Sequence, residues 1–562
     1  MFQARTGLGV VCVAILSLTR AALCGGGGQN CLVLVDPSSE NAVRLANEYQ
    51  RIRNVPDNNF CFIQAPLYHG LPAITPTSNQ LQALYTDGIT RHIADRGLAD
   101  QIDYIGSLNS PMYWGTSFQY KLSLLSALEA GLSLDAADNP ITHPLFQAVS
   151  RYDTYGEGEN YAIHHRQVYR ALYSSDGLVT FDTQYYMTGL LGYTGAYGNT
   201  VEQIVWNWQR TRGADGTKPE GTVYFCENND IRSDTREPQW PLVQAALDAR
   251  GIPWEQPWCD QAAGYTPKNE DDVRGAIVGA AYPVLPNGST YLPGSFADSL
   301  TSTAMGFGGP SQKKATEFIA AGAAGSSGTV SEPGARATRF PNSSIHVLIA
   351  DGSTLGEAFH KSVADPRLQA FIGDLLAQPY ADMPNVAITA GPADGQTVSG
   401  TVRFDAAATL TNPDLATGIA QLELYIDGRL SRTVPAAAAA FNLDTAALSD
   451  GRHEVRIVAV NNAAAESENY TVRHVLVNNH GRGIAADGDI SGGANDVLHV
   501  PLSVTAGDGA VQRIELRHLG RVLGQAGAGA GAVAVPMSML AYGENPILPV
   551  AVFSDGTETA GR

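Results

Sequence analysis

The sequence predicts an α/β domain with a mostly parallel sheet and flanking helices, followed by all-β sandwiches. Residues 31–36 form a continuous apolar run that ends in Asp-Pro-Ser-Ser, which is typical of a strand buried on both faces and a turn that caps a helix. Helical spacing over 38–53 and a second apolar strand at 60–63 complete a strand–helix–strand unit, which favours a parallel sheet. After about residue 383, short alternating strands separated by turn signals replace this pattern.

Further helices and strands of the first kind follow along the chain. At 562 residues the chain is too long for one core, and about 150 residues per domain gives about three or four domains. Helices are predicted at 81–96, 201–212, 241–250, 313–321 and 354–363, and strands at 102–106, 222–226 and 275–279.

A weak internal repeat lies in the last third of the chain. Residues 419–430 resemble 511–522, and residues 448–460 resemble 540–552. A period of about 90 residues, filled with short strands, fits two immunoglobulin-like sandwiches. Asp427-Gly428 is a hairpin signal. The predicted division of the chain is a signal peptide at 1–26, the α/β domain at 27–384, and sandwiches at 385–479 and 480–562.

The first residues have the features of a signal peptide. Arg5 supplies the positive end, 7–18 is a short apolar run, and small residues at 21–28 offer cleavage sites. The run is shorter than the roughly 20 residues that cross a bilayer. We therefore expect an exported bacterial protein, secreted, periplasmic or at the cell surface, with no transmembrane segment in the mature chain.

The charge balance bears on possible partners. The sequence has 36 basic and 55 acidic residues, a net charge of −19. Because phosphates and acidic lipids need Lys and Arg to neutralise them, this disfavours nucleic acid and anionic membrane surfaces. The predicted partner is a protein or polysaccharide of the cell envelope, and no cofactor is predicted.

Four cysteines follow the predicted signal peptide: Cys31, Cys61, Cys226 and Cys259. Each of two pairs is close in sequence and flanks neighbouring strand candidates, which favours the disulfides Cys31–Cys61 and Cys226–Cys259. The alternative is four buried free thiols.

Five segments carry a family resemblance, at 32–39, 49–56, 322–333, 355–362 and 373–380. They are similar to an uncharacterised family of secreted bacterial proteins from species with exosortase-type envelope sorting. Leu375 stands where that family has a proline. The family in turn resembles caspase- and gingipain-like cysteine peptidases, and the sandwich part resembles bacterial Ig-like modules. The resemblance implies a caspase/gingipain-like fold and export, and it implies no reaction.

A cysteine peptidase needs a thiolate within hydrogen-bond reach of an imidazole. Gingipain-like peptidases place His-Gly after one strand and Cys after the next. The matching strands here are 276–283 and 291–299, and neither His nor Cys follows in the required place. No catalytic residue is therefore predicted. The leading hypothesis is a non-catalytic binding or envelope-associated protein, and the alternatives are a hydrolase with an acidic site and a carbohydrate-binding protein.

Three polar residues are candidates for a binding pocket. Asp36 and Ser38 follow the first strand, and Glu332 follows the glycine-rich segment 322–329. Ligands of open α/β sheets bind at the carboxyl ends of strands, so the three are predicted to rim one pocket. Helix capping and turn formation are the alternative. The glycines of 322–329 favour either an anion-facing loop or close packing of strand against helix.

Other candidates carry weaker signals. Ser295 as a nucleophile would need His346 or His360 as its base, but His346 is predicted as a strand histidine and His360 as a surface residue of a helix. His164-His165 and Asp487-Gly-Asp489 lack the spacing of a metal site, so no metal is predicted. Tryptophans are predicted to pack in cores or anchor loops, with stacking on sugars as the alternative for Trp206, Trp208, Trp254 and Trp258.

Overall fold

The computed structural model describes residues 26–64, 67–68, 71–72, 88–108, 113–114, 116–123, 168–169, 172–174, 177–179, 183–493 and 496–561. The predicted signal peptide, apart from Gly26, lies outside these residues, as do His164 and His165 and the first part of the helix predicted at 81–96. Within them, no helix is both long and apolar enough to cross a membrane.

One large sheet organises the first part of the chain. Its strands are β1 Cys31–Val35, β2 Phe60–Phe62, β3 Tyr104–Leu108, β4 Met187–Gly192, β5 Thr222–Phe225, β6 Trp254–Glu255, β7 Val273–Val278, β8 Tyr291–Ser299, β9 Gly325–Thr329 and β10 Gln369–Gly373. They lie in the order β6-β5-β7-β8-β9-β10-β4-β3-β1-β2. Short two-strand ladders pair Leu67–Tyr68 with Leu71–Pro72, Tyr113–Trp114 with Thr116–Ser117, Val168–Tyr169 with Thr183–Gln184, and Leu172–Ser174 with Gly177–Val179.

The sheet consists of two parallel halves that run in opposite directions. Strands β10, β4, β3, β1 and β2 are mutually parallel, and so are β6, β5, β7, β8 and β9. The halves meet at the antiparallel pair β9–β10, where Gly325 faces Gly373 and Thr329 faces Gln369. The carboxyl ends of the two halves therefore lie at opposite edges of the sheet.

The glycine-rich segment at 322–329 is a buried strand for most of its length. Residues Gly325–Thr329 pair with β10 along their whole length, so this part of the backbone is used within the sheet. A Cβ on Gly325 would lie 2.9 Å from Phe371 Cζ, and a Cβ on Gly328 would lie 2.3 Å from Ala304 Cβ. Close strand packing thus explains the glycines, and the interpretation of 322–329 as an anion-facing loop is wrong.

Helices cover both faces of the sheet. They are α1 Glu40–Arg53, α2 Arg91–Asp95, α3 Phe118–Ser123, α4 Val201–Ala214, α5 Ile231–Arg236, α6 Trp240–Asp248, α7 Thr316–Ala320, α8 Ile345–Ala350 and α9 Leu355–Ser362. The Ser39 hydroxyl caps α1 by accepting the Ala42 amide at 3.2 Å, and left-handed Asn54 ends it. Helices α1 and α4 pack through the edge-to-face rings of Tyr49 and Trp208, whose centroids are 4.9 Å apart.

A buried ionic network joins α1, the end of α4 and the end of β10. Arg53 donates to the carboxylates of both Asp374 and Asp215, and all three side chains are at most 4% exposed. Tyr49 donates to Asp374 Oδ1 at 3.1 Å, and the Gln378 amide donates to Asp215 Oδ1 at 2.9 Å. The Gly373-Asp374 motif therefore serves as a structural joint.

The second part of the chain is all-β. Its strands are β11 Asn385–Ala390, β12 Gln396–Val398, β13 Thr401–Thr409, β14 Ile419–Ile426, β15 Arg429–Val434, β16 Ala438–Asp444, β17 Gly451–Asn461, β18 Glu468–Val477, β19 Gly483–Ala486, β20 Ser491–Gly493, β21 Val497–Thr505, β22 Val511–His518, β23 Arg521–Gly527, β24 Ala532–Pro536, β25 Leu548–Phe553 and β26 Glu558–Ala560. The predicted fold class, an α/β sheet with flanking helices followed by all-β sandwiches, is confirmed.

The sandwich strands form three sheets. One joins β11, β13 and β16, and another joins β19, β20, β21 and β24. The third contains β12, β14, β15, β17, β18, β22, β23, β25 and β26. It includes strands of both repeats, which are joined at the residue pair Gly451–Ala560. Asp427 and Gly428 form the predicted hairpin turn, with φ 49° and 77°. The domain boundaries at 384/385 and 479/480 stay predictions.

Buried polar contacts attach the first sandwich to the α/β domain. Arg456, at 0% exposure, donates to Gln29 Oε1 at 3.0 Å and to the Asn54 carbonyl oxygen at 2.7 Å. Gln29 Nε2 in turn donates to Glu468 Oε1 at 2.8 Å. Because buried polar groups need such partners, these bonds fix the orientation of the two parts.

The second sandwich also touches α1. His518 Nε2 and Asn47 Oδ1 are 2.5 Å apart, and Asn47 Nδ2 donates to the Glu544 carbonyl oxygen at 3.0 Å. His518 is fully buried beside the Phe62 ring, and burial lowers its pKa to about 4. This contact positions the loop after β24 against the first turns of α1.

Candidate functional site

Asp36 and Ser38 occupy the turn between β1 and α1. Asp36 Oδ1 accepts the Ser38 amide at 2.9 Å and the Ser38 hydroxyl at 2.6 Å. Asp36 itself is buried. These bonds are the ones expected of turn formation at a helix start, which is the alternative that the sequence left open.

Glu332 lies away from that turn. Strands β10, β4 and β3 separate β9 from β1, a distance of roughly 19 Å at about 4.8 Å per strand. Because β9 runs opposite to β1, Glu332 also lies at the other edge of the sheet. The prediction that Asp36, Ser38 and Glu332 rim one pocket is wrong, since strand direction is not encoded in local sequence patterns.

At its own edge, Glu332 meets residues that the sequence did not single out. Its carboxylate accepts the Gly334 amide at 2.8 Å and a hydrogen bond from Ser302, which follows β8. The pKa of Glu332 is held below its usual range by the hydrogen bonds from Ser302 and the Gly334 amide and by the charge of Arg232 on α5. Glu332 is exposed and ionised at neutral pH, so it can accept hydrogen bonds and is a poor proton donor.

A second carboxylate at this edge is committed to structure. Asp298, at the end of β8, accepts hydrogen bonds from Arg236 Nη1 at 2.8 Å and from Nη2 at 3.1 Å. Arg236 also donates to the carbonyl oxygens of Val278 and Pro341, both at 3.1 Å. Burial raises the pKa of Asp298. The pair fastens α5 to the sheet, so the Asp298 carboxylate is not open to a substrate.

Both histidines considered as bases are buried. His360, predicted at the surface, is 3% exposed; its Nε2 lies 2.8 Å from the Thr188 amide nitrogen, and burial lowers its pKa to about 4. His360 is buried because other elements, including β4 and α8, cover α9 on every side. His346 was predicted on a strand but lies on helix α8. Its burial, together with the positive charges of two nearby arginines, lowers its pKa to about 3.

Ser295 is not placed as a nucleophile. It is 1% exposed in β8, and its hydroxyl has no hydrogen-bond partner among the described residues. The His346 ring packs against Phe296, with centroids 6.2 Å apart. Since neighbouring residues of a strand point to opposite faces, Ser295 and His346 lie on different sides of the sheet.

All four cysteines of the described chain are buried and carry free thiols in the structure. Cys61 pairs with Leu34 of β1. Leu34 lies three positions beyond Cys31, so the two cysteines are about 10 Å apart along the strand direction. Cys31 packs in the core on one face of the sheet and Cys61 in the core on the other. The preferred Cys31–Cys61 disulfide is therefore wrong.

Cys226 and Cys259, by contrast, are neighbours. Both are buried in one apolar cluster, and their thiols hydrogen-bond to each other. The backbone bridge between Glu227 and Trp258 and the 2.7 Å bond from the Cys259 amide to the Glu227 carbonyl hold the two segments together. A Cys226–Cys259 disulfide stays a prediction.

The tryptophans of the described chain have divided roles. Trp208 and Trp240 are core residues at 1% and 2% exposure, and Trp254 is anchored by its indole nitrogen to Asp248 at 2.8 Å. Trp206 and Trp258 are each 51% exposed. Core packing thus explains part of the set, and the two exposed rings need another explanation.

Metal chemistry receives no support within the described residues. No group of three or more His, Cys, Asp or Glu side chains that could hold a metal ion lies there. Asp487 and Asp489 are exposed on the loop after β19.

Comparisons with known proteins found a family match for one part of the chain. Residues 384–457 match the family described as bacterial Ig domain. No curated protein matches the chain. Among solved structures, the chain is similar to the Arg-specific cysteine proteinase gingipain R, with 10% identity, 80% of this chain and 98% of that chain covered, and a TM-score of 0.44.

Two further solved structures are similar to parts of the chain. The complex of Porphyromonas gingivalis RgpB pro- and mature domains is 9% identical, with 80% of this chain and 100% of that chain covered and a TM-score of 0.41. The fibronectin(III)-like modules of Clostridium thermocellum CbhA are 16% identical, with 31% and 92% covered and a TM-score of 0.14. At these scores the fold class rests on the strand pairing above, and the likenesses carry no argument about chemistry.

Proposed function

We propose that the chain is an exported bacterial protein that binds a component of the cell envelope without catalysis, using a peptidase-like scaffold and Ig-like sandwiches. The observation that carries the proposal is the chemical state of its thiols. Burial raises the pKa of Cys31 and of Cys61 to about 12 and that of Cys226 well above its ordinary value. Since the thiolate is the nucleophile, thiols in such surroundings are unreactive at neutral pH.

The buried histidines support the same proposal. Imidazoles with a pKa of about 3 or 4 stay neutral and bind protons weakly at neutral pH. Efficient general bases have pKa values near the working pH. His346 and His360 are also enclosed by protein, so a substrate has no path to them in this structure.

The alternative of a hydrolase with an acidic site would rely on Glu332. Its carboxylate is exposed, and its pKa is lowered by Ser302 and the Gly334 amide. A catalytic acid needs the opposite shift. The Glu332 surroundings therefore favour a role in binding or in shaping the loop.

Export and an envelope partner are the remaining parts of the proposal. The predicted signal peptide and the bacterial Ig domain at 384–457 support a location outside the cytoplasm. The net charge of −19 disfavours nucleic acid and anionic membranes as partners. Ig-like sandwiches fixed to the α/β domain by buried contacts suit a rigid binding protein.

The test uses the mature chain beside its Glu332→Gln variant with a diverse peptide library read by mass spectrometry. We expect no cleavage by either protein, and co-sedimentation of both with bacterial envelope fragments. Cleavage that the variant loses would contradict the proposal and support the acidic hydrolase. Cleavage by both would also contradict it and place the chemistry elsewhere.

A further inference from the structure

Two exposed aromatic rings lie on one surface of the molecule, on different parts of the chain. Trp206 is on α4 with 51% exposure, and Tyr542 is on the loop before β25 of the second sandwich with 78% exposure. The Arg210 guanidinium lies 4.4 Å from the Trp206 ring centroid, and that of Arg44 lies 6.0 Å from the Tyr542 ring centroid. Tyrosine and tryptophan are enriched at binding surfaces, where the ring packs on a partner and polar groups surround it.

An ion pair connects the two rings into one ridge. Arg44 Nη1 of α1 and Glu202 Oε1 of α4 are 2.9 Å apart. Glu202 precedes Trp206 by four residues, so the two lie on the same face of α4, about 6 Å apart along the axis. Tyr542, Arg44, Glu202, Trp206 and Arg210 form what we call the α1–α4 ridge.

The ridge is held in place before any ligand arrives. The Tyr542 amide donates to Glu40 Oε1 at 3.2 Å, and Asn545 in the same loop accepts from Asn47 of α1 at 3.0 Å. Arg210 donates to the carbonyl oxygens of Gly322 and Tyr291 at 3.2 and 2.9 Å. Preformed side chains bind without paying a large ordering entropy.

The chemistry of the ridge identifies its ligand class. Aromatic faces carry negative quadrupole charge and attract the weakly positive C–H bonds on the flat face of a sugar ring. Glu202 and the exposed Gln209, one turn from Trp206, supply the acceptors and donors that sugar hydroxyls need. Because Arg44 is paired with Glu202 and Arg210 with carbonyls, the cations are already engaged, which favours a neutral chain over a polyanion.

A protein partner fits this surface less well. Protein interfaces have a desolvated apolar core, but the exposed stripe of α4 around Trp206 is made of Glu202, Gln203 and Gln209. The two rings are separated by an ion pair rather than joined in one apolar patch. Spaced rings on a polar surface match a repeating, hydroxyl-rich polymer.

We infer that the α1–α4 ridge is a binding site for a neutral polysaccharide, with Trp206 and Tyr542 stacking on sugar rings and Glu202 and Gln209 bonding to their hydroxyls. The inference rests on the proposed function, because it supplies the ligand of a non-catalytic envelope-binding protein.

The test is native affinity electrophoresis of the mature chain in gels that contain mixed-linkage β-glucan, galactomannan or starch, with hyaluronate as the polyanionic comparison. We expect retardation by at least one neutral polymer and none by hyaluronate. Trp206→Ala is expected to weaken the retarding interaction at least about tenfold and Tyr542→Ala to weaken it less, since stacked aromatic residues dominate such surfaces. Trp258→Ala is the matched control, because Trp258 has the same 51% exposure elsewhere on the α/β domain.

The outcomes separate the two proposals. Migration unchanged in all three neutral polymers, or retardation that survives in both Trp206→Ala and Tyr542→Ala, overturns the ridge and leaves the non-catalytic function standing. Release of new reducing ends from a retarding polymer overturns the non-catalytic function and leaves the ridge standing. Retardation by hyaluronate alone also overturns the neutral-ligand inference. Melting temperatures within a few degrees of the parent protein verify that the variants are folded.

Discussion

Substitution of Asp374 tests the buried ionic network that joins α1, the end of α4 and the end of β10. Asp374 is fully buried and accepts hydrogen bonds from Arg53 and the Tyr49 hydroxyl, so Asp374→Asn leaves Asp215 as the only carboxylate beside the Arg53 guanidinium. Removal of one partner of a buried pair costs about 3–5 kcal/mol. Because Asp215 keeps part of the compensation, we expect a loss near the lower end, about 3 kcal/mol.

That loss converts into a measurable change of melting temperature. The predicted α/β domain has about 360 residues, and at about 2.1 cal/mol/K of unfolding entropy per residue it shifts by about 1.3 °C per kcal/mol, so the expected decrease is about 4 °C. The matched control is Glu317→Gln, which breaks the exposed Lys313–Glu317 pair with its 2.7 Å contact and is expected to cost about 0–1 kcal/mol.

The assay is thermal unfolding followed by circular dichroism, with urea melts for the free energy of unfolding. A decrease for Asp374→Asn no larger than that for Glu317→Gln would refute the assignment of the network as a joint. A second variant, Arg53→Met combined with Asp374→Leu and Asp215→Asn, should recover stability relative to Asp374→Asn, since it removes all three buried charges of the network.

Three further outcomes follow from buried side chains. Burial lowers the pKa of His518 from 6.5 to about 4, so between these pH values the unfolded chain binds a proton that the folded chain does not. The stability that neutral His518 contributes is complete above pH 6.5 and is lost as the pH falls toward 4, by at most about 3 kcal/mol. Urea melts of His518→Gln should show a smaller loss of stability over this pH range. Arg456→Met, which leaves the Asn54 carbonyl without its donor, should speed proteolysis at the junction near residue 384; an unchanged digestion rate would contradict its docking role. Reduction of the unfolded mature chain should add two hydrogens to its intact mass if Cys226 and Cys259 form the predicted disulfide, whereas an unchanged mass would leave them as thiols.

Local patterns predicted the elements that depend on local chemistry. The apolar run at 31–36 and the Asp-Pro-Ser-Ser turn gave β1 and α1 nearly to the residue, because a strand buried on both faces and a serine cap leave plain signals. The Asp427-Gly428 hairpin was equally visible, since few residues other than glycine, asparagine and aspartate adopt a positive φ there.

The direction of each strand in the sheet was not predictable in this way. A parallel and an antiparallel neighbour of β9 bury the same small side chains, so nothing in residues 325–329 indicates that β10 runs the other way. This direction decides the site, since Asp36 and Glu332 share one edge only if β1 and β9 run the same way. Pairing between strands distant in sequence decides this point.

Burial of charged helix residues was the other source of error. His360 and Lys361 follow each other on α9, a pattern typical of an exposed face, but Lys361 pairs with Glu357 inside the protein and His360 bonds to Thr188. The α1–α4 ridge was hidden for a related reason. Its rings lie more than 300 residues apart in sequence, and the docking of the second sandwich brings them to one surface, where an ion pair separates them.

The most direct measurement for the non-catalytic function is alkylation of the native mature chain by a thiol-directed reagent at neutral pH, followed by intact mass. Buried thiols with raised pKa values should remain unmodified over hours in the native protein, and those not in a disulfide should react once it is unfolded in denaturant. Rapid modification of a single cysteine in the native state, with a rate that rises with pH below 8, would reveal an accessible thiolate and contradict the proposed absence of cysteine chemistry.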